Sequence, residues 1–214
     1  HRPGSALFAT AQSGKYASNL WANLSEKIKN SPLKHYVKAK SGKGSEVLTF
    51  PGRSTLEPFP PTRDSLHSQT PNVVLIDEGW SQTLDSAAAL MQAVRPAMIT
   101  RRDRQIWIIS AMGDERSAWL DQLIEQGRAS LDDPNSTTCY IEYAPDPESD
   151  PYDPEVWEYH PGLGWLITLQ DLAQEAQPTA NTHADFMRSF MNISLKNRST
   201  VVDLDRWTQL GDLV

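Results

Sequence analysis

The stretch Asn72-Val73-Val74-Leu75-Ile76-Asp77-Glu78 decides how this chain folds. An unbroken Val/Leu/Ile run suits a strand buried on both faces of a parallel sheet. The two carboxylates then fall at its carboxyl end, where open α/β sheets place ligands. The pattern reads as a Walker B-type strand. Asp77 is the candidate for holding Mg²⁺, usually through a coordinated water, and Glu78 for polarising a water that attacks a γ-phosphate. Apolar strands returning to solvent also end in acidic residues, so the surroundings must decide.

Upstream, residues 5–10 read as a buried strand. Ser13 then caps a helix with an apolar stripe at Tyr16, Leu20, Trp21, Leu24 and Ile28, ended by Asn30-Ser31-Pro32. Residues 46–50 and 54–59 read as a hairpin around Pro51-Gly52, closed by Pro58, Pro60 and Pro61. Downstream, a helix over 82–94 presents Leu84, Ala87, Ala88, Met91 and Val94 and is expected to end at Pro96. A strand over 105–110 comes next, then a helix over 115–126 with Trp119, Leu120, Leu123 and Ile124 inward and Gly127 as the residue after its end. Residues 137–143 read as one more strand. Between 132 and 161 the composition turns to Pro and acidic residues, a solvated excursion. Two short helices complete the pattern, one opened by Thr168, the other carrying Phe186 and Phe190. The alternation predicts an α/β fold, a three-layer sandwich with a mainly parallel sheet, and a short helical C-terminal region.

Composition bounds the function. The 214 residues, 39% of them hydrophobic, can build a core. The balance of 20 Lys+Arg against 27 Asp+Glu gives −7, which argues against coating DNA by bulk electrostatics, so any DNA contact is local. No apolar stretch approaches the ~20 residues needed to span a bilayer. The start, His1-Arg2-Pro3-Gly4, carries neither an initiator Met nor a signal core, and a longer parent chain is expected. The single cysteine, Cys139, excludes an intramolecular disulfide and is expected as a small buried side chain in the 137–143 strand. His1, His35, His67, His160 and His183 have no metal-ligand spacing.

The second strand end, Ile106-Trp107-Ile108-Ile109-Ser110-Ala111-Met112-Gly113, strengthens the nucleotide reading. Neighbouring parallel strands lie ~4.8 Å apart, which puts Ser110 beside the carboxylate pair, able to report hydrolysis to the next helix. Lys27, Lys29, Lys34, Lys38, Lys40 and Lys43 form a stretch free of acidic residues, and Arg101, Arg102 and Arg104 a second basic cluster. Lys34, Lys38, Lys40, Arg101 and Arg102 are the candidates for phosphate contact, against the plainer reading of solvated faces. Trp80, Trp107, Trp119, Trp157 and Trp165 read as packing residues, with Trp80 also close enough to Glu78 to lie near a nucleotide. Asp132, Asp133, Asp146, Asp150 and Asp153 sit in a proline-rich loop rather than a preorganised metal site.

The order of motifs resembles the large subunit of a tailed-phage terminase, the ATP-driven motor that packages DNA into a procapsid. The resemblance rests on Phe8-Ala9-Thr10-Ala11-Gln12-Ser13, on 59–68 leading into Val73 to Glu78, and on Ser110-Ala111-Met112-Gly113. It continues through 160–168 and 186–192. It implies a P-loop NTPase-like but incomplete fold, residues 1–180 as part of the ATPase domain, and 181–214 leading towards a nuclease domain. Asp77 takes the Mg²⁺ role, Glu78 the catalytic role, and Ser110, Ala111, Met112 and Gly113 the coupling motif. Double-stranded DNA, a portal protein and a small terminase subunit are the implied partners, with a ring oligomer, no membrane, and the host bacterial cytoplasm as location.

The departures are equally specific. No G-x-x-x-x-G-K-[ST] occurs: Gln12-Ser13-Gly14-Lys15-Tyr16 has Tyr in place of the Mg²⁺-binding hydroxyl, and Ser41-Gly42-Lys43-Gly44-Ser45 precedes no helix pattern. Family order places the phosphate loop before Leu7. Mg²⁺ and ATP are therefore expected in the complete protein, with neither bound tightly by this chain alone. Without the loop's strand, 106–110 would have an unpaired edge, which is expected to be covered by another element, another chain or a rearranged segment. A segment like 201–207 precedes the family's nuclease domain. Two other readings stand beside the motor: a non-catalytic truncated prophage remnant or assembly module, and a small metal nuclease using Asp77 and Glu78.

Overall fold

A computed structural model describes residues 3–146 and 149–194, so the segment 201–207 lies outside the described residues. The chain forms two compact units: residues up to Ser110 with Arg116–Leu123, and Ala111–Glu115 with residues from Ile124 onward.

The first unit is built on a six-stranded sheet of β1 (Ala6–Thr10), β2 (Lys38–Lys40), β3 (Val47–Thr49), β4 (Thr55–Pro58), β5 (Val73–Ile76) and β6 (Gln105–Ile108), in the order β2-β3-β4-β1-β5-β6. The pairings β4–β1, β1–β5 and β5–β6 are parallel, whereas β2–β3 and β3–β4 are antiparallel. The hairpin expected around Pro51-Gly52 is the β3–β4 pair. Its turn places Gly52 and Arg53 at φ 77° and 65°, a region glycine enters freely and arginine does not.

Period-2 alternation gives the sheet two apolar faces. Leu7, Leu56 and Leu48 are in register on one face, next to Trp21, Leu24 and Ile28 of α1 (Gly14–Lys29). On the other face Phe8, Val74 and Ile76 meet Ala87, Leu90, Val94 and Met98 of α2 (Leu84–Met98), joined by Trp119 from the start of α3 (Ala118–Ser130). The three-layer α/β sandwich read from the sequence is what forms. Ser13 caps α1 by accepting from the Tyr16 N–H, and Thr83 caps α2 by accepting from the Ser86 N–H.

Asn72 pins the sheet at the amino ends of its parallel strands. Its side-chain oxygen accepts from the Ala6 N–H at 3.1 Å, its N–H donates to the Ala6 carbonyl at 2.8 Å, and its carbonyl accepts from the Gln105 N–H at 2.9 Å. One buried residue thus sets β1, β5 and β6 in common register.

Several expectations need correction. Pro96 lies inside α2 rather than ending it: its fixed φ suits a helix, and the buried Val94 and Met98 on either side hold the last turn in the core. Gly127 lies inside α3 rather than after its end, because the Tyr140 ring covers it; a Cβ there would come within 2.6 Å of the Tyr140 Cγ. Residues 137–143 form no strand. Their β-branched and aromatic residues suit a pleated surface only where a partner strand exists. The segment is instead tied to α3, by Tyr140 over Gly127 and by Arg128, whose Nη2 and Nε donate to Glu142 at 2.6 and 3.0 Å. Cys139 is exposed, not buried. Trp107 and Trp165 are likewise exposed rather than packed. β6 is the outermost strand, with Trp107 54% and Ile109 52% exposed, and no strand of the chain pairs its outer edge among the described residues. Of the covers expected for this edge, a pairing strand from the same chain is therefore not found among the described residues.

The second unit has its own small core of Trp157, Leu172, Phe186, Met187 and Met191. Thr168 and Asp171 form a capping box that opens α4 (Leu169–Glu175). The expected Phe186–Phe190 pair stacks at 5.6 Å on α5 (His183–Ser189) and its cap, and Tyr152 stacks on Phe186 at 5.3 Å.

Gly127→Ala sets helix propensity against packing. Alanine favours a helix by about 1 kcal/mol over glycine, whereas forcing a ring out of a filled site costs about 1–3 kcal/mol. Net loosening is expected, read as faster amide exchange across 137–143; unchanged exchange would show that the ring does not depend on the glycine. The same tether is pH-sensitive at both extremes. The Arg128 guanidinium, by hydrogen bonding, holds the Glu142 carboxyl below its usual range, so its contribution is present above the ordinary glutamate value and lost as pH falls through the depressed one. Burial, then the Glu142 hydrogen bond, push the Tyr140 hydroxyl up to about 12, so its contribution is complete below the ordinary value of 10.0 and lost as pH rises towards about 12. The Tyr140 ring signals in NMR should hold steady between these limits and move at both.

Candidate functional site

β5 delivers its carboxylates as its sequence demands. Both edges of the strand are hydrogen-bonded, by β1 and by β6, and its side chains pack into the sheet's two faces. The register continues just past its end: the Asp77 N–H donates to the Thr10 carbonyl at 2.9 Å, and the Ile109 N–H to the Ile76 carbonyl at 2.9 Å. Asp77 and Glu78 therefore emerge at the carboxyl edge of parallel strands, both partly buried.

Immediately beyond, the backbone reverses. Glu78 adopts φ 55°, ψ 51°, a left-handed conformation that costs a non-glycine residue about 1–2 kcal/mol. The turn Gly79–Ser81 offsets that cost with several hydrogen bonds. Asp77 Oδ1 accepts from the Glu78 N–H at 3.0 Å, and the Ser81 hydroxyl and N–H donate to the Glu78 carbonyl at 2.7 and 2.9 Å. Gly79 lies against β6: its N–H donates to the Ile109 carbonyl at 3.1 Å, and a Cβ there would come 3.0 Å from Ile108 Cγ2.

Ser110 reaches the backbone of the turn that follows the pair. Its Oγ accepts from the Trp80 N–H at 2.9 Å. Ser117, which sequence reasoning missed, donates its hydroxyl to the Trp80 carbonyl at 2.8 Å. Its only signal was a serine just before a helix, which reads as an ordinary cap. Trp80 in turn donates its indole Nε1–H to Glu78 Oε2. Met112 and Gly113 are buried and Ala111 is exposed; these three belong to the second compact unit.

The donor set suits magnesium held with a nucleotide. Mg²⁺ takes one or two carboxylates and fills its remaining positions with waters and phosphate oxygens, and Asp77 keeps Oδ2 without a protein partner among the described residues. Among those residues no group of three or more His, Cys, Asp or Glu side chains converges into a metal cage, so the nuclease reading gains no ligand set.

The basic candidates lie elsewhere. Lys38 and Lys40 sit on β2, the outermost strand at the far side of the sheet, where exposed lysines also discourage edge-to-edge pairing. Lys34 is exposed in the turn before it. Arg101 and Arg102 precede β6, at the end of the parallel strands opposite to Asp77 and Glu78. The Arg101 guanidinium is bound to the Thr70 carbonyl and hydroxyl at 3.0 and 3.2 Å, whereas Arg102 is exposed.

A mainly parallel, helix-covered sheet with adjacent carboxylates at the end of an inner strand defines the class, an α/β sandwich domain. No protein-family model and no curated protein matches the chain. Among solved structures, the large terminase of bacteriophage HK97 superposes with a TM-score of 0.70 at 19% identity, over 97% of this chain and 43% of that one. The large terminase ATPase domain of Thermus phage P74-26 superposes at 0.55 and 17% identity, over 89% of this chain and 77% of that one. The chain thus shares the fold of the terminase ATPase domain, and it spans less than half the length of the HK97 protein. No helix among the described residues is long and apolar enough to cross a membrane.

Proposed function

We propose that the chain is part of the ATP-hydrolysing motor of a phage terminase large subunit, which in the complete protein translocates double-stranded DNA into a procapsid. The observation that carries this reading is the carboxylate pair Asp77–Glu78, presented at the carboxyl end of an inner parallel strand and followed by a turn whose Trp80 N–H donates to Ser110, just past the neighbouring strand. The shared fold supplies the context.

In this reading Asp77 holds the magnesium of Mg-ATP, and the ion neutralises charge on the transferring phosphoryl group when bound. Glu78 accepts the proton of the attacking water at its carboxylate. The strain at its backbone and the bonds around its turn fix where that carboxylate can reach. Ser110, Ala111, Met112 and Gly113 link hydrolysis to DNA movement, since Ser110 already grips the turn that carries Glu78. Residues 1–180 belong to the ATPase domain and 181–214 lead towards a nuclease domain. Portal protein, small subunit and a ring of copies complete the motor in the host cytoplasm. Arg102 and the Lys34, Lys38 and Lys40 group are the side chains available to DNA phosphates; Arg101 is already committed to Thr70.

The 214 residues alone are inactive in this reading. Lys15 and Gly14 open α1, but the position of the magnesium-binding hydroxyl is Tyr16, and no other segment offers a phosphate cradle in sequence.

In the hydrolysing form of the protein, Glu78→Gln keeps the side-chain shape and removes the charge that activates water. Nucleotide affinity is expected to stay within a few-fold of wild type, while turnover falls by about 10²-fold or more. Near-wild-type turnover would exclude Glu78 from the role.

A further inference from the structure

We infer that Trp80 is a positioning residue for Glu78, and that it links the strand end at Ser110 to the carboxylate that acts on water. This deepens the proposed function and rests on it.

The contacts form one continuous path. The Ser110 hydroxyl accepts from the Trp80 backbone N–H, and the Ser117 hydroxyl donates to the Trp80 carbonyl, so both peptide groups of Trp80 are held from outside its own turn. Ser117 is fully buried. With its backbone fixed at both ends, the indole has little freedom beyond its two side-chain torsions, and its Nε1–H ends on Glu78 Oε2. Glu78 and Trp80 are two residues apart, and the left-handed backbone at Glu78 turns the carboxylate back over the turn towards the indole. An ordinary extended or helical conformation at Glu78 would aim that side chain elsewhere, so the backbone strain and the indole contact belong together.

The chemistry suits such a role. An indole N–H is a donor only and never takes the proton itself, so it can fix one carboxylate oxygen without competing for the water's proton. Oε2 is held by Trp80, and Oε1 is the oxygen left to face a water. Any displacement of Ser110 moves the Trp80 backbone and, through it, the carboxylate. Packing alone requires neither the hydroxyl clamp nor the indole–carboxylate bond.

Trp80→Phe keeps an aromatic ring and both backbone bonds while deleting the donor. In the hydrolysing form of the protein it should lower kcat about tenfold with KM within about twofold of wild type, as expected when one hydrogen bond to a charged group is lost. On the 214-residue chain, the Trp80 indole N–H resonance in a ¹H–¹⁵N spectrum should lie downfield, as for a donor to a carboxylate, and Glu78→Gln, which replaces the carboxylate with a weaker neutral acceptor, should move it upfield. A wild-type kcat for Trp80→Phe beside an inactive Glu78→Gln would overturn the inference and leave the proposed function standing. An indole resonance unchanged in Glu78→Gln would overturn it as well. Full turnover in Glu78→Gln would sink the proposed function and this role with it.

Discussion

Everything at the candidate site depends on β5 being hydrogen-bonded along both edges. Because β1 and β6 take up both edges of the strand and the two sheet faces bury Val74 and Ile76, its carboxyl end has a fixed position. Fully burying each such side chain contributes about 1.5–3 kcal/mol. The residues beyond cannot continue the ladder without running into solvent, so the chain must turn at once. That turn puts Glu78 in a left-handed backbone, and the strain is tolerated because Ile109 and Ser110, just past β6, supply the bonds that close the turn. The carboxylate pair and the serine are therefore consequences of one packing arrangement rather than separately placed features.

The sequence exposed the parts governed by local rules. An apolar run with carboxylates at its end, serine and threonine caps ahead of amphipathic stripes, and a Pro-Gly turn between two short strands each reflect short-range physics, and each formed as read. The failures came where a distant partner decides. Residues 137–143 have the composition of a strand, yet a strand exists only when another presents its edge. Tyr140 and Glu142 found α3 instead. Gly127 looked like the end of a helix, and only the ring of Tyr140, thirteen positions later in the chain, shows why a glycine stands there.

The candidate site divides along the same line. Asp77, Glu78 and Ser110 were legible because their positions derive from strand ends and the spacing of parallel neighbours. Trp80 and Ser117 were not, because their roles arise from a left-handed residue and from a hydroxyl reaching the turn from the start of α3. The basic clusters were visible as charge but not as geometry: Arg101 spends its guanidinium on Thr70, and the lysines of β2 lie on an exposed sheet edge. The fold shared with the HK97 large terminase, at 19% identity, reflects architecture more than sequence.

The central claim is that these residues hold the water-activating half of an ATPase site whose phosphate-binding half is not among them. The direct measurement is Mg-ATP turnover by the 214-residue chain, alone and joined at its amino end to a phosphate-binding loop and strand of the P-loop type. Turnover in the joined form alone is the predicted result. Turnover in neither form would contradict the claim and favour an assembly module without catalysis.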